Sequence, residues 1–242
     1  MTRKALPLET FVTERYARED YDSLYSGASG VLMRGSHRLM EKGISAAQNE
    51  RVLEIGGGAM PHIYWMDSSN TKLYTVSDKI SFHRKKLEKL KSDLPSQAEL
   101  KLHDFDKDPA LDNVGSEFTR IIASHVLEHI PDPEGALVTW FSKLARKGVL
   151  SIAIPCDPGW AWRLGQFIAY RGYCKEADWN LSFTEYDLIM SREHVNSADR
   201  LLKILRYYCR KPEIRWFPMI APVADFNLVC AINIHAADIV PH

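Results

Sequence analysis

"RVLEIGGGAMPHI", residues 51–63, decides how the rest of the chain is read. A short apolar run carrying one acid, Glu54, ends at Ile55, and Gly56, Gly57 and Gly58 follow at once. Strands and helices both lose by such a cluster, because glycine surrenders more backbone entropy on folding than any other residue. Glycines serve where the chain turns sharply or where something approaches its backbone closely. A bare strand-to-helix turn meets the first need, and a binding crevice meets both.

From residue 51 the pattern alternates. Strands are expected at 51–55, 72–77, 99–103, 119–124 and 148–154, with helical stretches at 61–68, 81–92 and 133–146. This predicts an α/β fold, a Rossmann-like, mostly parallel sheet covered on both faces. Ligands of such sheets sit beyond the carboxyl ends of the strands, where Gly56–Gly58 fall. A helix at 197–208 and strands at 213–217 and 226–235 follow, and their short connection predicts an antiparallel hairpin at the sheet edge. Residues 8–48 read as helical, broken at the "SGASG" of 26–30. Residues 156–196, with Trp160, Trp162, Tyr170, Tyr173 and Trp179, are too long for a simple connection and read as an inserted cap.

Bulk properties narrow the class. The 242 residues are 45% hydrophobic and 26% charged, as in an ordinary globular protein able to bury a large core. Thirty-one basic residues balance thirty-one acidic ones, which weighs against a nucleic-acid partner. The basic cluster of Arg84, Lys85, Lys86, Lys89 and Lys91 reads as a solvated helix face. Cysteines 156, 174, 209 and 230 form no CxxC pair and no metal-like cluster with histidine, so they read as reduced thiols. No apolar run reaches the length of a membrane span, and no signal-peptide core opens the chain; a cytoplasmic protein without stable membrane insertion is expected.

The strand ends carry more chemistry. Asp78 closes the second strand, about 20 residues past the glycines, where a carboxylate accepts from both hydroxyls of a ribose. Asp104 closes the third and can accept from the exocyclic amine of adenine, with Phe105 offering an apolar face to the ring. A glycine turn, a ribose acceptor and an adenine clamp in register point to an adenosine-type ligand. A dinucleotide fingerprint fails, since GxGxxG read from Gly56 places Pro61 at the last glycine, and no GxxxxGK[ST] loop exists.

With its leading acid, "VLEIGGG" resembles the first motif of class I S-adenosylmethionine-dependent methyltransferases, E/D-x-G-x-G-x-G, with Met60 at the third glycine. "IIASHVLEHIPDP", residues 121–133, is similar to the fourth-strand segment of the branch with a V-L-E-H signature. The resemblance covers about residues 48–155 well and 197–235 weakly. It implies a seven-stranded sheet with the last strand antiparallel and S-adenosyl-L-methionine as cofactor. It further implies that Gly56, Gly57 and Gly58 meet the methionine end, with Glu54 orienting it. Asp78 would hold the ribose, Asp104 and Phe105 the adenine, and Ser124 and His125 would lie near the sulfonium methyl. Family members often use an N-terminal helix as a lid, so Arg34 would meet the cofactor carboxylate. The organisation expected is one domain in four parts: a helical lid at 1–48, a core at 49–155, an acceptor cap at 156–196, and a closing helix and hairpin at 197–242.

Methyl transfer from a sulfonium is an in-line displacement in which the protein aligns the reactants and excludes water. An amine or hydroxyl acceptor must also lose a proton, which suits histidine. His125 is the first candidate base and His194, just before a helix capped by Ser197, the second. Glu128 and His129 read as braces of the loop. Arg34, His37 and Glu41 share one helix face, either as a surface network or as part of the lid, with Tyr21 and Tyr25 preceding them. In the cap, Asp157, Trp160, Trp162 and Arg163 directly follow the fifth strand. Their aromatics suit a sugar, a flat metabolite or an acyl chain, or simply form the cap's own core.

The reading is a methyltransferase acting on an oxygen or nitrogen of a small molecule or carrier-linked glycan. A non-catalytic methyltransferase-like binding subunit is the alternative, and a nicotinamide-dependent oxidoreductase is a third reading that the failed GxGxxG spacing opposes.

Overall fold

The protein is described by a computed structural model covering residues 28–58, 60–78, 87–176, 182–219 and 221–241, with the side chains of 172–176 left aside. Tyr21, Tyr25, Arg84, Lys85, Lys86 and Trp179, and the side chains of Tyr173 and Cys174, lie outside the described set.

Seven strands form one sheet: β1 Arg51–Ile55, β2 Leu73–Asp78, β3 Glu99–Asp104, β4 Phe118–Ser124, β5 Leu144–Pro155, β6 Glu213–Phe217 and β7 Val229–His235. Their order is β3-β2-β1-β4-β5-β7-β6. The first five are parallel, and β7 runs antiparallel between β5 and β6, as expected for the last strand. The strand order reverses between β1 and β4, so their carboxyl ends open a crevice.

Alternation along the strands feeds two cores. Leu53, Ile55, Ile121, Ala123, Leu150, Ile152 and Ile232 face one side. Helix α2 (Pro133–Lys143) covers that side with Leu137 and Trp140, and α5 (Ala198–Tyr208) with Leu201, Leu202 and Leu205. Asp132 caps α2, accepting from the Gly135 amide, with Pro133 at its first turn; Ser197 caps α5. Val52, Tyr74, Val76, Ile122, Ala153 and Ala231 face the opposite side, with Met40, Ile63 and Leu90.

Helix α1 (Ala28–Met40) begins inside the glycine-rich stretch expected to be a break and runs through Gly30. It packs against β5, β6 and β7. Gly35 makes that approach feasible, since a Cβ there would lie 3.2 Å from the Phe217 ring. The helix expected at 61–68 is instead a single 3-10 turn, His62–Tyr64. Trp65 closes it with its amide on the His62 carbonyl, and beyond it Asp67 accepts from the Ser69 amide, an Asx-type turn where helix was expected to continue. Residues 156–196 hold α3 (Trp160–Glu176) and α4 (Phe183–Glu193), joined by ring contacts of Tyr170 with Phe183 and Tyr186. Cys156, Cys209 and Cys230 are buried free thiols. No helix among the described residues is long and apolar enough to cross a membrane.

Candidate functional site

The glycine turn is fixed from beneath by Glu54. This carboxylate is 1% exposed; Oε1 accepts from the His62 amide at 2.7 Å and Oε2 from the Tyr74 hydroxyl at 2.5 Å. A Cβ on Gly57 would lie 2.4 Å from Glu54 Cδ, so the turn is wrapped around the acid. Gly56 has φ +75°, and a Cβ there would meet Val126 Cγ2 at 2.3 Å. Burial pushes the Glu54 carboxyl up to about 7 in spite of its two donors. Glu54 thus shapes the turn from which the backbone of Gly56–Gly58 is presented.

Sheet register gathers the other strand ends. Asp78 lies opposite Asp104, Ile55 opposite Ser77 and Ala123, and Ser124 opposite Ala153. Asp78 Oδ2 accepts from the Gly58 amide at 2.6 Å. Asp104 pairs with Lys107 at 3.0 Å, and that hydrogen bond holds its carboxyl below the usual range. Phe105 packs partly buried beside the first core. The Ser124 hydroxyl is buried without a hydrogen-bond partner among the described residues. A side-chain-free turn, two strand-end acids, an aromatic face and an unmatched hydroxyl fit a ligand with an amino-acid end, a ribose diol and an adenine. Arg34 lies half-buried on α1.

His125 stands at the end of β4 in the left-handed region, φ 55°, with its amide tied to the Ala153 carbonyl. A non-glycine residue held there is strained, which is common at working sites. Its Nε2 lies 3.3 Å from Ser36 Oγ and its Nδ1 3.6 Å from Glu128 Oε1. Burial opposes ionisation of Glu128, yet His125, then His129 and His194, hold it below the usual carboxylate range. His194 follows α4, its Nδ1 2.9 Å from Asp157 Oδ2 and its ring 5.0 Å from that of His129. Trp162 approaches the His194 ring at 5.7 Å, whereas Trp160 is 66% exposed.

A second buried network went unread in the sequence. Arg120, inside β4, is fully buried and bonds Asn49 Oδ1 at 2.9 Å and Glu41 at 2.5 Å. Glu41 also takes His62 Nε2 at 2.6 Å, and His62 Nδ1 meets His37 Nδ1 at 2.6 Å. His37 stacks on Trp65 at 4.2 Å. Burial depresses both histidines, His62 to about 4, so both are neutral at pH 7. His62 then donates from Nε2 to Glu41 and accepts at Nδ1 from His37. His37 and Glu41 therefore belong to the interior rather than to a surface network. An arginine in the run "FTRIIAS" was the available signal, since a charge is almost never fully buried unless paired.

None of the curated proteins matches the sequence. Among solved structures, the chain is similar to the N-methyltransferase NodS from Bradyrhizobium japonicum WM9 in complex with S-adenosyl-L-homocysteine. That match has 15% identity, 94% of this chain, 97% of that chain and a TM-score of 0.56. It is also similar to the plantazolicin methyltransferase BpumL in complex with S-adenosylhomocysteine, with 12% identity, 94% and 98% coverage and a TM-score of 0.55. The CurJ carbon methyltransferase matches at 19% identity and a TM-score of 0.51 over 81% of this chain and 50% of that one, so the chain spans half of CurJ's length. These likenesses establish the fold. A family model described as "Methyltransferase domain" matches residues 26–207. With that match over most of the chain, and the strand-end site as described, the protein belongs to the methyltransferase domain family and is an S-adenosyl-L-methionine-dependent methyltransferase.

Proposed function

We propose that the protein methylates an oxygen or nitrogen of a small molecule or carrier-linked sugar, with His125 taking the acceptor's proton. The observation that carries this reading is the placement of His125: strained at the end of β4, beside the unmatched Ser124 hydroxyl, with an ionised Glu128 behind its Nδ1. The cofactor supplies an electrophilic methyl group. Gly56–Gly58, Asp78, Asp104 and Phe105 would hold it, and Arg34 on α1 is assigned to its carboxylate end. Glu128 favours the His125 tautomer with its proton on Nδ1, so Nε2 takes the acceptor's proton. Glu128 then stabilises the imidazolium, and the Ser36 hydroxyl, which donates to the Met33 carbonyl, can accept from the new Nε2–H. The α3–α4 cap, with Trp162 and the Asp157–His194 pair, bounds the acceptor side.

The test is transfer of labelled methyl from S-adenosyl-L-methionine to a panel of hydroxyl and amine acceptors. His125→Ala should lower kcat about 100-fold or more and leave S-adenosylhomocysteine affinity within about threefold of wild type. Unchanged kcat in that variant would remove His125 from the chemistry.

A further inference from the structure

Beyond the ends of β4 and β5, Glu128, His129 and His194 each bring one ligand-type atom to within 4.8 Å of the others. The surroundings are built as the outer shell of a metal site is built. His194 Nδ1 faces Asp157 Oδ2 at 2.9 Å, and His129 Nδ1 faces the Glu193 carbonyl at 2.9 Å. An imidazole whose Nδ1–H is held by an oxygen presents the lone pair of Nε2. His129 Nε2 lies 3.9 Å from Glu128 Oε1.

Glu128 supplies an independent observation. Its side chain is 1% exposed, yet Oε2 has no hydrogen-bond partner among the described residues. A buried carboxylate oxygen without a donor is costly, and a cation removes that cost. The two segments are also pre-assembled. Asn196 donates its amide to the Glu128 carbonyl at 3.1 Å and its side-chain nitrogen to the Ile130 carbonyl at 2.6 Å.

We propose that Glu128, His129 and His194 bind a divalent first-row transition metal ion, with Asp157 and the Glu193 carbonyl orienting the two imidazoles. Two imidazoles and one carboxylate favour zinc, cobalt, manganese or iron(II) over magnesium and calcium, which prefer all-oxygen sets. Tetrahedral ligands about 2.1 Å from an ion lie about 3.4 Å apart, so the triad closes by about 1 Å on loading. His129, with 35% of its side chain exposed, has room to make that movement. Three protein ligands leave a position open, and an oxygen of the methyl acceptor is assigned to it; this assignment alone rests on the function proposed above.

The experiment is titration of metal-free full-length protein with Co²⁺, read by visible d–d absorption, with displacement by Zn²⁺ followed calorimetrically. Wild type should take up one equivalent with d–d bands indicating nitrogen and oxygen ligands. His129→Ala, His194→Ala and Glu128→Gln should each weaken binding at least tenfold, and Asp157→Asn about tenfold. S-adenosylhomocysteine binding, measured on every variant, reports whether it folds. Wild type that binds S-adenosylhomocysteine but no Co²⁺ overturns the metal site and leaves the methyltransferase reading intact. Co²⁺ binding undiminished in a folded His129→Ala/His194→Ala double variant overturns it equally. A loaded ion whose spectrum does not respond to any methylated acceptor removes only the acceptor's place on the ion.

Discussion

The Asp78 carboxylate accepts a 2.6 Å hydrogen bond from the Gly58 amide, so the acid assigned to the cofactor ribose also clamps the turn assigned to its methionine end. The turn after β1 and the end of β2 are therefore mechanically linked. Asp78→Asn keeps an oxygen acceptor for the amide and loses the charge; Asp78→Ala loses both. Calorimetry should show S-adenosylhomocysteine affinity reduced about tenfold in the first and at least 100-fold in the second. Equal losses would mean that the clamp contributes nothing.

Gly57→Ala tests the wrapping of the turn around Glu54. The new methyl would fall 2.4 Å from Glu54 Cδ, and that acid is held by Tyr74 and the His62 amide. Displacing it should destabilise the fold by about 1–3 kcal/mol and abolish micromolar cofactor binding. Chemical denaturation and calorimetry on the same sample check both.

Stability should respond to pH from two sides. Burial lifts Glu54 from 4.5 to about 7, so the native state keeps a proton that the unfolded chain releases. That contribution is complete below 4.5 and is lost as pH rises through about 7. Burial depresses His62 from 6.5 to about 4, so its contribution is complete above 6.5 and is lost as pH falls toward 4. Urea midpoints for Glu54→Gln should lack the decline of about 1–3 kcal/mol that wild type shows between about pH 5 and about pH 8. A parallel decline in the variant would assign it to another group.

The buried pair of Glu41 with Arg120 should be strongly coupled. Glu41→Ala strands a guanidinium that is fully buried inside β4 and should cost about 3–5 kcal/mol. Adding Arg120→Met should recover part of that loss, giving a coupling of about 1–3 kcal/mol in a double-mutant cycle. Additive single effects would contradict the pairing.

How legible was this molecule in its sequence? The strands were, because those in the middle of the parallel sheet are short, mostly apolar runs bounded by polar or glycine residues, and the few polar residues inside them, such as Glu54 and Arg120, do not break the pattern. Only β5 starts well early, at Leu144, where Leu144 pairs with Phe118 before the register shifts. The 3-10 turn at His62 was expected as helix because the local hydrogen bond that follows it, the Asx-type turn at Asp67, leaves no mark on apolar periodicity. The start of α1 was misread because Gly30 looked like a breaker, whereas it is buried within the helix. In the site, strand-end acids could be placed because a strand end is a position along the chain. The Tyr74–Glu54 and Arg120–Glu41 pairs could not, because each joins residues on different elements that only the folded sheet brings together.

Helix α1 lies within the segment, residues 1–48, expected to form a lid. Glu41, the residue directly after it, supplies the counter-ion, and the Met40 carbonyl at its end a further acceptor, for the arginine at the centre of the sheet. Asn233 of β7 donates to that carbonyl as well. Lifting the end of this helix would therefore uncover an uncompensated cation in the middle of β4, which makes partial opening there nearly as unfavourable as losing the sheet. In native-state hydrogen exchange, the amides of the last turn of α1 and of central β4 should open together, as one cooperative unit whose slowest step reports on the whole fold.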